Sequence, residues 1–590
     1  MIAALAVAPV VLITILVGLR AVAAMRTTSD FLVASRRVSP LLNSAAVSGE
    51  YLSAASFLGV AGLVVKDGIG SLWYPVGFTA GYVAMLVLVA APMRRSGALT
   101  VPDFAEARLA SPVLRRIAAV VVLVIGGLYL VPQFRTAGLV LGAVGGTPYW
   151  VGVVIAGVAA ATTLSLGGMR AATYVQAFQF FLKLALFLVP AAWLVFQVGP
   201  DVRAQAVDPA EFTHFSHDTT IEFRVGATLD FREPTAVRAA DGTPELIPAG
   251  RQEIEAGRTI VFPAGAPAPS VDNHAPGGPG WELPTLDLQN AGYPVLSTWA
   301  VLIATMLGTM GLPHVLMRFH TSIDGRAARK TAALTVLLLS AFYLFPGIYG
   351  VLGTVLVPHL YLSDATDTAV VALPSVVDPG PAGAVFTVLL TAGAFAAFLA
   401  TSLGLLLAVA GAISHDLLEG GLRQMRFTVL AAAAAVVLLA LPAVRLDAGV
   451  LVTWGFTVAA STFCPLLVLG IWWPRLTTTG AISGVVVGLT ASAGAIATTL
   501  FGPALPGWQA ILVAQPAPWS VPLAFATMVL VSLRGRPPAW SRDAMLRLHL
   551  GEGRSPYLNQ RLLQGRDPGH SSRTNGRSST VRRMARRFVR

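Results

Sequence analysis

The sequence predicts an all-α, polytopic membrane protein, on three observations. Of its 590 residues 55% are hydrophobic and 12% charged, about half the charged share of an average soluble protein. The apolar residues come in runs, among them Ile2–Leu19, Ile117–Leu130 and Ala431–Leu441 with their neighbours, and about 20 such residues cross a bilayer as a helix. Lys and Arg then recur at alternate joints between the runs, as membrane topology requires. The length would otherwise suggest about four soluble domains, which these uniform apolar runs exclude.

Cut at charged or Pro/Gly-rich joints, the chain yields thirteen spans, roughly 2–24, 41–65, 71–93, 114–144, 148–168, 171–198, 294–317, 331–357, 383–414, 426–443, 447–472, 478–501 and 518–535, each boundary good to about four residues. The first lacks a basic start and a small-residue cleavage site, so it reads as a retained helix. With the N-terminus outside, sixteen Lys and Arg fall in inner loops, from Arg26, Arg36 and Arg37 to Arg423, Arg426 and Arg475, against Lys66 and Arg445 in the short outer ones. This places the C-terminus in the cytoplasm and the protein in the cell membrane.

The net charge of +12 is positional. Pro200–Asn290 holds 14 of the 29 acidic residues and six of the 41 basic ones, whereas Pro537–Arg590 holds 12 basic and three acidic residues. The basic tail suits anionic lipid better than nucleic acid. The basic tail at 537–590 reads as largely disordered. Residues after Arg554 read as disordered, with a basic end at Val581–Arg590. The outer loop mixes Pro/Gly stretches with alternating pieces at Thr219–Val225 and Thr259–Phe262. It is either a small β-rich cap or irregular, and an insertion without a transport role is the simpler account. Cys464 is the single cysteine, which excludes an internal disulfide or a cysteine metal site.

Polar and helix-breaking residues inside apolar spans are costly, so they mark candidate sites. The second span carries Asn43-Ser44-Ala45-Ala46-Val47-Ser48-Gly49-Glu50-Tyr51-Leu52-Ser53-Ala54-Ala55-Ser56-Phe57. A glycine among small polar residues is where a helix unwinds and offers backbone carbonyls to an ion. A packing face with serines bonded back to the helix is the competing account, and Glu50, a buried carboxylate needing a partner or a proton, favours function. The ninth span carries Ala400-Thr401-Ser402, hydroxyls fit for a hard cation, although helix packing explains the pair alone. In the seventh, Pro313 frees a carbonyl, and His314 and Arg318 lie one turn apart. They suit an inner gate, and a proline kink with a snorkelling arginine accounts for them equally. Lys183 reads as snorkelling, and Arg135 as facing an outer vestibule that attracts an anion. No Walker A loop, H-E-x-x-H, Cys/His metal spacing or G-x-S-x-G is present, so no enzyme chemistry or cofactor is expected, and uphill transport must draw on an ion gradient.

Ser48-Gly-Glu-Tyr-Leu-Ser-Ala-Ala-Ser-Phe-Leu-Gly59, Tyr129-Leu-Val-Pro-Gln133, Gly167-Gly-Met-Arg-Ala-Ala-Thr-Tyr-Val-Gln176, Gly311-Leu-Pro-His-Val-Leu-Met-Arg-Phe319, Ala412-Ile-Ser-His-Asp416 and Trp473-Pro-Arg-Leu-Thr-Thr-Thr-Gly480 together resemble the solute:sodium symporter family, in its cation:acetate (monocarboxylate) branch. They stand in order and cover most of Phe31–Pro503; the outer loop and tail are not covered. The resemblance implies four domains: an extra helix and inner loop at 1–40, a LeuT-like transport core at 41–475 of two inverted five-helix repeats, spans two to six and seven to eleven, interrupted by an outer loop at 199–293, two further helices at 476–536, and the basic tail at 537–590. It implies a cation site at Gly49, Leu52, Ala397, Ala400 and Thr401, and a substrate site at Tyr51, Ser53 and Ser56 opposite Thr305 and Thr309. Glu50, His314 and Arg318 are the coupling or gating candidates. The chain departs from the family pattern at Ala400, which supplies no hydroxyl, and at Gln179, where branch members carry lysine and this chain places Lys183 one turn later.

The resulting expectation is a secondary symporter importing acetate, propionate or pyruvate with Na⁺ or H⁺, without cofactor, nucleic acid or an implied protein partner. A symporter for another small solute such as proline, or a transporter-like solute sensor, is the alternative.

Overall fold

Prolines and short polar caps punctuate the helices. Ser39, Ser111 and Thr100 each accept a hydrogen bond from a backbone N–H of the first turn they open, with proline in the next one or two positions, where its missing N–H costs nothing. Asp324 and Thr477 cap two more helices in the same way. The computed structural model describes residues 2–21, 27–223, 226–271, 274–288, 291–445, 448–503 and 505–550.

In chain order the helices are α1 Ile2–Ala21, α2 Thr28–Val33, α3 Pro40–Tyr51, α4 Val60–Asp67, α5 Trp73–Leu88, α6 Ala90–Ser96, α7 Val101–Leu109, α8 Pro112–Gly145, α9 Tyr149–Gln197 and α10 Pro200–Val207. Six strands follow: β1 Thr219–Phe223, β2 Ala227–Phe231, β3 Thr235–Ala239, β4 Pro244–Ile247, β5 Gly250–Ile254 and β6 Arg258–Phe262. Then come α11 Pro294–Gly311, α12 Pro313–His320, α13 Gly325–Tyr343, α14 Pro346–Leu356, α15 Ala369–Val377, α16 Pro381–Gly411, α17 Leu422–Ala440, α18 Ala448–Trp472, α19 Thr478–Phe501, α20 Trp508–Ala514, α21 Ala517–Leu533 and α22 Ser541–His549.

Among the described residues nine helical segments are long and apolar enough to cross a membrane, or eleven with two bent pairs counted as spans. The sequence expectation was thirteen. One difference lies in α9, whose 49 residues hold a non-helical Gly168 (φ 51°, ψ −150°) where the sequence divided it. The other lies in α1, whose apolar stretch Ala6–Leu19 is short. Lipid-facing rows are apolar, as in Val76, Val83 and Val87 of α5, which recur at helical spacing.

Two five-segment repeats share one plan, α3 to the second half of α9 and α11 to α18. The opening helix of each is broken. Its second helix packs on the opening helix of the other repeat, α5 on α11 and α13 on α3, and the third helices α8 and α16 pack on each other. Glycines permit the closest approaches: a Cβ on Gly49 would strike the Gln176 carbonyl, and one on Gly311 the Ala459 carbonyl. This exchange is what a pseudo-two-fold axis in the membrane plane produces.

The segment between α10 and α11 folds as a β cap. β1 and β6, the two stretches singled out by alternation, pair antiparallel in the sheet β1-β6-β3-β4, while β2 and β5 form a second pair. β1 alternates buried and exposed residues, and Ile221, Phe223 and Phe262 enter a core separate from the helical one. The cap is fastened to the helices by the Trp281 indole, which donates to the Val64 carbonyl at 2.8 Å, and by Ile69 N–H, which donates to the Trp281 carbonyl at 3.0 Å. Of the tail, Ser541–His549 is a helix rather than disordered, held by Arg95, which donates to the Leu548 and His549 carbonyls. The remaining expectations for the tail, Val581–Arg590 included, lie outside the described residues.

Candidate functional site

The two broken helices build the site. In the second repeat the break follows from Pro313, which disfavours helical backbone in the residue before it; Leu312 is extended (φ −68°, ψ 116°). In the first repeat no proline is involved. Leu52 leaves the helix (φ −71°, ψ 78°), and α3 meets the segment Ala55–Asp67 at a bend of 69°. The N–H groups that would have continued α3 go elsewhere: Ser53 donates to the Tyr51 carbonyl at 2.8 Å, and Ala54 to the Gln133 side-chain oxygen at 3.0 Å. The Gly49 and Glu50 carbonyls are thereby released from helical bonding.

Each released carbonyl has a side-chain donor. The Lys183 ammonium donates to the Gly49 carbonyl at 2.5 Å and to that of Leu52 at 2.8 Å. The Thr401 hydroxyl donates to the Glu50 carbonyl at 2.6 Å, and the Gln176 amide to the Ala400 carbonyl at 2.6 Å. Gly49, Leu52, Ala400 and Thr401 are thus brought together as expected, with Ala397 buried one turn before Thr401. Lys183 does not snorkel: it is fully buried, because the unwound carbonyls of α3 lie within its reach. Ser402 turns away and donates to the Phe398 carbonyl.

Beside this lies a buried ion pair. Arg318 Nε donates to Glu50 Oε2 at 2.6 Å, one terminal nitrogen donates to the Thr173 hydroxyl at 2.9 Å, and the other to the Gln176 side-chain oxygen. Neither partner is more than 1% exposed, so Arg318 is no snorkelling residue. The network ties α3, α9, α12 and α16 together. His314 does not join it; its ring sits edge-on to Tyr129 at 5.5 Å.

The substrate candidates face one another. The Tyr51 and Thr309 hydroxyls are 2.7 Å apart, Ser56 lies 2.8 Å from the Tyr343 hydroxyl, and the Tyr129 hydroxyl donates to Ser53 at 3.3 Å. Thr305 is the exception, its hydroxyl bonded to the Val301 carbonyl of its own helix. Tyr82, Phe78 and Phe456 enclose Tyr51 edge-on at 4.8, 5.9 and 6.4 Å. Tyr51, Ser53, Ser56, Thr305 and Thr309 are all buried, so none of these side chains is open to solvent in this conformation. Sequence reasoning missed Tyr82, Tyr343, Gln176 and the part played by Gln133. Gln133 and Gln176 carried a signal, as polar residues within apolar spans that close two of the family-like motifs.

Away from the cap, a latch joins the repeats. Asp416 receives the Arg115 guanidinium and the Thr100 hydroxyl, both at 3.0 Å, and Arg115 also holds Glu106 at 2.8 Å. Nearby, Arg108 donates to the Gly470 carbonyl at 2.8 Å, and burial lowers its guanidinium to about 10. Arg135 does not face an open vestibule. It is 3% exposed, donates to the Val444 carbonyl and lies 3.9 Å from Asp367.

Known proteins agree with this architecture. The chain is similar to an uncharacterized symporter, YwcA, of Bacillus subtilis (strain 168), with 28% identity over 488 residues, 81% of this chain and 82% of that one. In structure it is similar to a Na⁺-coupled sialic acid symporter determined in a substrate-bound, outward-open state, with TM-score 0.62 and 13% identity over 91% of this chain and 98% of the other, a likeness of fold. The profile described as the sodium:solute symporter family matches residues 31–236 and 287–488, passing over most of the β cap. The chain accordingly belongs to the sodium:solute symporter family: it is a multi-pass membrane transporter of a small solute, not an enzyme.

Proposed function

We propose that the protein is a secondary active symporter that imports a short monocarboxylate, of the acetate, propionate or pyruvate class, together with a cation, with the β cap outside the cell membrane. The observation that carries the substrate class is the charge of the buried centre. Arg318 and Lys183 bring two basic side chains against the single carboxylate of Glu50, and an unmatched positive charge in such a place is costly. An anionic solute beside Leu52 and Ser53 offsets that excess. The surrounding hydroxyls of Tyr51, Ser53, Ser56, Thr309, Tyr129 and Tyr343, enclosed by aromatic rings, suit a small acid with a short apolar end. The seat for positive charge in this reading is Gly49, Leu52, Ala397, Ala400 and Thr401, beside the same break, so that charge held there steadies the backbone that meets the solute.

Uptake of radiolabelled acetate, propionate and pyruvate into proteoliposomes tests the reading. Concentrative uptake driven by an ion gradient, insensitive to excess proline, is expected. Uptake of these acids no greater than in empty liposomes, or indifferent to both the Na⁺ and the proton gradient, would overturn it.

A further inference from the structure

The cation seat holds a cation that belongs to the chain. Lys183 lies on α9, and its Nζ reaches across to α3, 2.5 Å from the Gly49 carbonyl and 2.8 Å from that of Leu52. It is 0% exposed. An ammonium so placed would ordinarily be explained by a carboxylate, yet Glu50, the acid on α3, is paired with Arg318. The helix closing the seat, α16, contains no ionisable residue at all. Lys183 is therefore held by backbone dipoles, as a hard metal ion is held by oxygen ligands. Of the neighbouring oxygens, the Glu50 carbonyl has the Thr401 hydroxyl as donor and the Ala400 carbonyl has the Gln176 amide.

We propose that the Lys183 ammonium is the resident cation of this site, standing where the seat would otherwise bind Na⁺, so that the transport cycle proceeds without Na⁺ bound there. The inference rests on the seat assigned under the proposed function and names its occupant. Two unit charges about 4 Å apart, at an effective dielectric constant near 20, repel strongly enough to weaken Na⁺ binding by roughly a thousandfold. The break in α3 keeps its electrostatic support, but from a tethered charge that does not leave with the solute. A sodium gradient then does no work through this site.

The test is equilibrium binding of ²²Na⁺ to the full-length purified protein at fixed pH and without solute, so its result does not depend on which acid is transported. The wild-type protein and Lys183→Arg are expected to show no Na⁺ binding that Thr401→Ala removes. Lys183→Ala, which frees the Gly49 and Leu52 carbonyls, is expected to gain one saturable Na⁺, lost again in Lys183→Ala/Thr401→Ala. Binding by the wild type that disappears in Thr401→Ala overturns the proposal, as does a monodisperse Lys183→Ala that gains no Na⁺. If Lys183→Ala does not purify as a monodisperse species, the wild-type and Thr401→Ala measurements decide alone. Failure of acetate uptake with these binding results intact would count against the proposed substrate and not against the occupant of the seat.

Discussion

Removing the charge of Glu50 while keeping its shape, as Glu50→Gln, should destabilise the protein strongly. Arg318 is fully buried, and among the described residues it pairs with the Glu50 carboxylate, its other acceptors being the Thr173 hydroxyl and the Gln176 side-chain oxygen. Breaking a buried pair by neutralising one side costs about 3–5 kcal/mol, because the remaining charge is left in a low-dielectric interior. Arg318→Met should cost a similar amount, leaving Glu50 alone. The double variant removes both charges and should be less destabilised than the sum of the two, by about 2 kcal/mol or more. Reversible unfolding of the purified protein in mixed micelles, read by tryptophan fluorescence, measures all four corners of the cycle. Single substitutions costing under about 1 kcal/mol, or strict additivity, would refute the claim that this pair is the electrostatic centre joining α3 and α12.

Gly404 lies against the same carboxylate, and a Cβ there would strike Glu50 Oε1; Gly404→Ala should cost about 1–3 kcal/mol and depress uptake, as thermal melts and transport assays would show. Tyr51→Phe removes the 2.7 Å contact with Thr309, worth about 0.5–1.5 kcal/mol, and should raise the KM for the transported acid severalfold. Asp416→Asn weakens the latch at Arg115 and Thr100 and should speed amide exchange over residues 100–116 relative to residues 219–262. Beneath the cap, burial and then the nearby His217 hold His359 down to about 4 from an ordinary 6.5. Its neutral form is the folded one, so the stability it contributes, about 3 kcal/mol at most, is present above pH 6.5 and is lost as pH falls from there through 4. Amide protection of residues 219–262 should fall over that window, and His359→Gln should flatten the profile.

The spans were legible because bilayer burial acts on every residue of a helix at once, so length and apolarity suffice. The break at Pro313 was legible for the same local reason, since a missing N–H and a ring clash act on neighbours in sequence. The break at Leu52 was only half legible. Gly49 and the serines marked a weak helix, but what completes the opening is Gln133, which takes the Ala54 N–H from another helix. β1 and β6 of the cap were visible as alternation, while their pairing across some 40 residues was not.

By itself the sequence determined the class of protein and its apolar runs, thirteen where nine to eleven helical segments of the described residues qualify as spans, and it named most of the residues that meet at the two helix breaks. The tertiary structure alone decided how charge is distributed within it. It paired Glu50 with Arg318 and excluded His314. It turned Thr305 back on its own helix, and it carried Lys183, read locally as a snorkelling residue, onto the carbonyls of α3. Hydrophobic burial is a property of a segment and leaves its record in the segment's composition. A buried charge is stable only beside a specific partner, and which partner it meets is settled by packing between residues more than a hundred positions apart.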